Sequence, residues 1–270
     1  MTSIKKNESP STAFDLNNQV VVITGGAGLL GQRFTRAVAV QGGRPVIADI
    51  RIEVADAVAS QINSELGTNQ VSAIEIDITS KDSLHRAIYD LQSRYGAIDA
   101  LVNNAYPRNK NYGQKFEEVE YKDFCENINL HLGGYFLASQ QFALFFKDQG
   151  YGNIISISSI YGSVAPRFDI YADTIMTMPV EYAVIKSALL HLNSYMLKYY
   201  QGSGIRFNCL SPGGIFDSQP EPFLQRYAAY SQSKGMLNPE DITGTLIFLL
   251  SVQSRYINGQ NIIVDDGWSK

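Results

Sequence analysis

The stretch Gln19-Val20-Val21-Val22-Ile23-Thr24-Gly25-Gly26-Ala27-Gly28-Leu29-Leu30-Gly31 decides the fold. Its first half is an unbroken apolar, β-branched run, the pattern of a strand buried on both faces. Its second half satisfies two overlapping spacings: G-x-G-x-x-G through Gly26, Gly28 and Gly31, and T-G-x-x-G-x-x-G through Thr24, Gly25, Gly28 and Gly31. A helical pattern runs on from Leu29 to Gln41 and stops at Gly42-Gly43. Strand, glycine-rich turn and helix start, in that order, make a site for a pyrophosphate. The glycines let the backbone come close, and the helix N-terminus offers free N–H groups and a positive dipole end. Gly25, Gly28, Leu29, Leu30 and Gly31 are the expected contacts.

A second strand, Pro45 to Ile50, ends on Asp49 and Ile50. A carboxylate at that place accepts hydrogen bonds from an adenosine ribose and repels a 2′-phosphate, which favours NAD over NADP. Arg51 could turn back to hold a 2′-phosphate, so NADP is not excluded.

Apolar runs and helical patterns then alternate to the end of the chain. The expected elements are a helix from Ile52 to Leu66, a strand over Val71 to Ile76, a helix from Ser80 to Tyr95 and a strand over Ile98 to Asn103. One long helix is expected from Tyr121 to Gln149, then strands at Asn153 to Ser158, Ile205 to Leu210 and Ile262 to Val264, with a late helix near Pro239 to Ser251. Such alternation predicts an α/β fold: a single doubly wound domain over 14–270, a seven-stranded parallel sheet with helices on both faces. Two loops, near 160–181 and 214–238, are left to shape a substrate mouth.

Composition excludes several classes. The chain has 270 residues, 45% hydrophobic and 18% charged, with a net charge of −4, which argues against non-specific nucleic-acid binding. No window approaches the ~18 consecutive apolar residues of a membrane span. Two distant cysteines, Cys125 and Cys209, make no disulfide framework, and His85, His131 and His191 show no metal-ligand pattern. Residues 1–13 are polar and lack the apolar core of a signal peptide, so a disordered leader on a cytoplasmic protein is expected.

Tyr182-Ala183-Val184-Ile185-Lys186 places a phenol and an ammonium one helical turn apart on one side of a helix. A phenol titrates near ~10, and a neighbouring lysine favours the phenolate and lowers that value, so the pair can act as a tuned acid/base.

Four further segments complete a pattern: Asn103-Asn104-Ala105-Tyr106 after the fourth strand, Asn129 inside ENINLHLGGYF, Ile157-Ser158-Ser159 ending the fifth strand, and Asn208-Cys209-Leu210-Ser211-Pro212-Gly213 ending the sixth. With the glycine turn and the Tyr182/Lys186 pair, they resemble the short-chain dehydrogenase/reductase family in its single-domain Rossmann form. The likeness spans about Asp15 to Trp268. It implies a catalytic tetrad of Asn129, Ser159, Tyr182 and Lys186. Tyr182 would exchange a proton with the substrate oxygen, Lys186 would tune it and hold the nicotinamide ribose, Ser159 would orient the substrate, and Asn129 would anchor a water leading to solvent. It also implies cofactor contacts from Asp77, Ile78, Asn104, Ala105, Tyr106, Pro212, Gly213 and Ile215, beside Tyr182 and Lys186. A homodimer or homotetramer is implied on the same ground.

Three departures stand out. Leu29 occupies a position where single-domain members usually carry glycine. Tyr106 replaces a small residue and would narrow the cofactor side of the cleft. The segment from Ser159 to Tyr182 is about twice the usual length, with Arg167 to Met178 read as an insertion over the substrate mouth. Tyr171 is a rival phenol, but Ile175, not lysine, stands four residues on.

The resemblance implies an NAD(P)-dependent oxidoreductase acting on a secondary alcohol or ketone. Its look is similar to members linked to bacterial surface-glycan and flagellin-modification sugar pathways. A phosphorylated or acidic sugar would suit the basic residues Arg108, Lys110 and Lys115. The alternatives are a 3-oxoacyl thioester reductase and a non-catalytic dinucleotide sensor, the latter having no need of a proton relay.

Overall fold

Every residue of Val20–Thr24 (β1) is buried, as its unbroken apolar run requires. Neighbours along it serve opposite layers: Val20 and Val22 join one core, Val21 and Ile23 the other. The computed structural model describes residues 14–270; the expected leader at 1–13 lies outside the described residues. β1 pairs in parallel with β2 (Arg44–Asp49) and with β4 (Ala100–Asn103). β3 (Ser72–Glu75) lies outside β2, and β5 (Gly152–Ile157), β6 (Ile205–Pro212) and β7 (Asn261–Val264) continue beyond β4. The order β3-β2-β1-β4-β5-β6-β7 is the seven-stranded doubly wound sheet that the alternation predicts. Between β1 and β4 the winding reverses, and a crevice opens at the carboxyl ends of the strands.

Helices cover both faces. On one side Leu84 and Leu91 of α3 (Lys81–Tyr95), Phe142 and Phe146 of α5 (Gly134–Gln149), and Ile185 and Leu189 of α6 (Val180–Tyr199) pack on the sheet. On the other, Phe34 and Val38 of α1 (Leu29–Val40) meet Leu246 and Leu250 of α8 (Thr243–Leu250). Ala55, Val58 and Ile62 of α2 (Ile52–Leu66) pack near Ile47.

Two expectations on element limits change. The long helix from Tyr121 to Gln149 is interrupted: α4 (Tyr121–Asn127) passes through a π-helical turn, Ile128–Gly133, before α5 begins. Such turns break the regular 3.6-residue rhythm and are common at functional sites. Periodicity alone could not find it, because Ile128, Leu132 and Tyr135 still read as an apolar stripe. The segment after β6 contains a helix, α7 (Glu221–Ala228), and the strand-like bridge between Ile215 and Leu237 closes it into a loop.

Candidate active site at the carboxyl edge of the sheet

A cavity of about 980 Å³ runs along the carboxyl ends of the strands. At one end lie Gly25, Gly28, Leu29 and Leu30, with Asp49 and Ile50 beside them and Asp77 and Ile78 after the next strand, β3. Asn104, Ala105 and Tyr106 line its middle, and Tyr182, Lys186, Pro212, Gly213 and Ile215 its far end. Of the expected cofactor contacts only Gly31 stands apart. A Cβ there would come within 2.4 Å of the Gly25 carbonyl oxygen, so Gly31 lets α1 close on the turn instead of touching a ligand.

The turn is held open by its neighbours. Gly25 has φ +62°, and a Cβ on it would sit 2.7 Å from Ala105 Cα. The Thr24 hydroxyl accepts hydrogen bonds from the amides of Asn104 (3.0 Å) and Ala105 (3.2 Å). The Asn104 side-chain amide donates back to the carbonyls of Thr24 (3.0 Å) and Gly25 (3.1 Å). These bonds tie the ends of β1 and β4 into one floor. A bare-backbone cradle at a helix start, with a mostly buried Asp49 at the next strand end, fits a dinucleotide. Arg51 lines the same rim, its Nε 4.0 Å from Asp49 Oδ1.

At the far end α6 starts behind Pro179, whose fixed φ suits a helix entry. One turn after Tyr182, Lys186 is buried and its Nζ donates to the Ile157 carbonyl at 2.8 Å. Its ammonium lies 5.4 Å from the Tyr182 ring centre, 5.6 Å from Tyr135 and 5.9 Å from Tyr106. Burial draws the Lys186 pKa down to about 7. Burial also pushes the Tyr182 phenol above its ordinary value, against a smaller opposing pull from the Ser159 side chain. The expected lowering by lysine is therefore not met: desolvation wins, and a lysine near neutrality has only part of its charge to offer. Ser159 faces the cavity and accepts from the Tyr161 amide (3.2 Å), whereas the neighbouring Ser158 hydroxyl is bonded to the Lys186 carbonyl at 2.8 Å.

Asn129 is a correction. It is exposed and lines a separate shallow groove with Phe124, Cys125, Phe136 and His191, away from Ser159, Tyr182 and Lys186. Two residues along a helix a side chain faces elsewhere, and the residue that turns inward is His131. It is buried, with ring centres of Tyr106 and Tyr135 at 5.1 and 5.0 Å. The sequence reading treated all three histidines as bystanders. The π-helical turn that sets the register of His131 carries no signature in residue spacing.

The basic loop is corrected as well. Arg108 lines the cavity, its guanidinium 5.0 Å from the Tyr106 ring centre, but Lys110 and Lys115 do not line it. Tyr106 packs edge-on against Tyr182 (5.8 Å) and shares a 2.6 Å hydroxyl contact with Tyr112, so it narrows the cleft as expected. Residues missed in the sequence also line the cavity: Tyr161, Met176 and Met178 from the 160–181 loop, and Phe223, Tyr227 and Met236 from the 214–238 loop. Trp268 stacks on Tyr227 from behind (5.2 Å, 17°). Tyr171 belongs to this wall, its hydroxyl 3.4 Å from that of Tyr161, and has no lysine beside it.

Fold and site together define a nicotinamide-dependent oxidoreductase. The family model described as Enoyl-(Acyl carrier protein) reductase matches residues 28–269. Post-translational flagellin modification protein A of Campylobacter coli is 41% identical over 254 residues, covering 94% of this chain and 99% of that protein. A short chain dehydrogenase of Leptospira borgpetersenii solved with bound NAD+ is 30% identical with a TM-score of 0.83, covering 100% of this chain and 98% of that one. A gluconate 5-dehydrogenase of Burkholderia cenocepacia solved with NADP and tartrate is 26% identical with a TM-score of 0.84, covering 96% and 98%. The chain belongs to the short-chain dehydrogenase/reductase family. It is an NAD(P)-dependent oxidoreductase that moves a hydride between nicotinamide and an alcohol or ketone carbon of a small molecule.

Proposed function

We propose that the chain is an NAD-preferring dehydrogenase of a polyhydroxylated, sugar-like secondary alcohol, with Ser159, Tyr182 and Lys186 as its catalytic groups. The observation that carries this is the convergence of these three side chains at one end of a cavity whose other end is the glycine turn and Asp49. Bound there, nicotinamide supplies the hydride acceptor or donor. Tyr182 takes the proton from the substrate hydroxyl, or returns it to the carbonyl oxygen. Ser159 orients that oxygen, and Lys186 stabilises the phenolate and offers donors to the cofactor ribose. Two loops, 160–181 and 214–238, select the substrate with phenol, thioether and aromatic surfaces. The tyrosine hydroxyls and aromatic faces of this wall suit a polyol face, and the similarity to a gluconate 5-dehydrogenase supports that reading. The likeness to a flagellin modification protein supports a place in the covalent decoration of proteins. A cytoplasmic site fits two free cysteines, Cys125 and Cys209. An apolar groove with Phe124, Ile128, Phe136, Leu192 and Tyr195 supports a homodimer or homotetramer.

The reading is tested by a screen of polyols, aldonic and uronic acids, sugar nucleotides and 3-oxoacyl thioesters with both cofactors. Fastest turnover of a thioester would overturn it. Fluorescence titration should give NADH an affinity about tenfold or more above NADPH, since a 2′-phosphate would meet the Asp49 carboxylate at ~1.4 kcal/mol or more of repulsion. Asp49→Ala should shrink that gap; tighter NADPH binding by the parent would sink the argument. Arg108→Ala should raise KM about tenfold for an acidic sugar while leaving a neutral polyol unchanged. Equal KM values for the acidic substrate would remove the anion contact.

A further inference from the structure

His131 is a buried polar group at the edge of the site with no partner among the described residues. Both ring nitrogens are buried without a hydrogen-bond partner in the described structure. Buried polar groups are rarely left so, and an orphan beside a reacting lysine calls for a role. His131 and Lys186 stand against the same two rings, Tyr106 and Tyr135. A π-helical turn, Ile128–Gly133, brings the imidazole inward at this place. We propose that His131 is a positioning residue that completes the proton link of Lys186, the role first expected of Asn129.

The chemistry is suited to it. Desolvation, and then the Lys186 charge, hold the His131 pKa well below its ordinary value. The ring is thus neutral near pH 7, with one N–H donor and one free lone pair. Of the three Lys186 donors, one goes to the Ile157 carbonyl, which leaves hydrogens for other acceptors. In the oxidising direction the substrate hydroxyl proton passes to Tyr182, then through Lys186 to His131, and one proton is released for each hydride removed; reduction runs the same path backwards. Tyr106 packs edge-on against His131, has its hydroxyl 2.6 Å from that of Tyr112, and is 41% exposed. The titratable and charged groups around this centre are Glu181, Tyr182 and Lys186 on α6, Tyr106, Arg108 and Tyr112 on the loop after β4, Tyr135 on α5, and Cys209 on β6. Glu181 is itself buried, with Oε2 unpartnered and Oε1 3.4 Å from the Asn127 amide nitrogen.

This inference rests on the proposed roles of Tyr182 and Lys186, and its test separates the two. His131→Leu, His131→Phe and His131→Asn would be assayed with the fastest secondary alcohol of the screen above, with NADH affinity and melting temperature measured in parallel. The two apolar variants should lose about 10- to 100-fold in kcat and shift the pH profile of kcat, with KM and NADH affinity within about threefold. His131→Asn, which again both donates and accepts, should recover most of kcat. Adding either apolar change to Lys186→Met should cost little more than Lys186→Met alone. Full kcat in whichever apolar variant folds would overturn the proposal. So would equal losses in all three variants with an unchanged pH profile, the mark of a packing role. Retained turnover in Tyr182→Phe would instead sink the underlying assignment.

Discussion

Tyr182→Phe should bind NADH within about twofold of the parent and turn over its best alcohol about a thousandfold more slowly, or worse. The expectation follows from position. The Tyr182 ring is held edge-on by Tyr106 at 5.8 Å and faces Lys186 Nζ at 5.4 Å from its centre. Phenylalanine keeps both ring contacts and loses only the hydroxyl, so folding and cofactor affinity have little reason to change. The hydroxyl is the group proposed to exchange a proton with the substrate oxygen beside Ser159. Burial raises its pKa, so the parent should show oxidation rates that climb with pH. Steady-state kinetics with fluorescence titration checks both halves. Turnover within tenfold of the parent would show that another group moves the proton.

Lys186→Met should nearly abolish activity yet make the cofactor-free protein harder to unfold near pH 6.5. The unfolded lysine keeps its proton up to about 10.5, whereas burial brings the folded value to about 7. Between these values unfolding takes up a proton, so lower pH favours the unfolded chain. The contribution of Lys186 to stability therefore falls as pH drops from 10.5 towards 7 and stays at its worst below 7. The gap corresponds to a penalty of up to about 5 kcal/mol in acid, offset by about 1 kcal/mol from the bond to the Ile157 carbonyl. Chemical denaturation should show the parent gaining about 2–3 kcal/mol between pH 7 and 9, and the variant staying nearly flat. That window lies above His131, which matters below about 6.5, and meets only the onset of Cys209, whose thiol is pushed from 9 up to about 12 by burial. A parent no less stable at pH 7 than at pH 9 would contradict the buried position of the amine. A functional group held at a cost to stability is a common compromise in active sites.

The glycine turn was legible because each glycine answers a local demand: Gly25 a positive φ and Gly31 an approach of backbone to backbone. The same holds for Asp49, Ser159, Tyr182 and Lys186, whose positions at strand ends or one helical turn apart survive small errors in element limits. Asn129 did not survive. Its place depended on the rhythm of one long helix, and the turn at Ile128–Gly133 sends Asn129 outward and His131 inward. Of the basic loop only Arg108 reaches the cavity, since charges close in sequence at 108–115 need not share one face in space.

By itself the sequence determined the parallel sheet, the cofactor end and the Tyr182/Lys186 pair, because these rest on strand burial, glycine sterics and helical repeat, all short-range. Only the tertiary structure decided which side chains join them. His131 comes from a distorted helix, and Tyr161, Tyr171, Phe223 and Tyr227 come from two separate loops that meet over the cavity. Packing between distant segments sets their directions, and the protonation of Lys186 and His131 follows from the burial that packing imposes. Desolvation belongs to the assembled fold, and no stretch of the chain carries it alone.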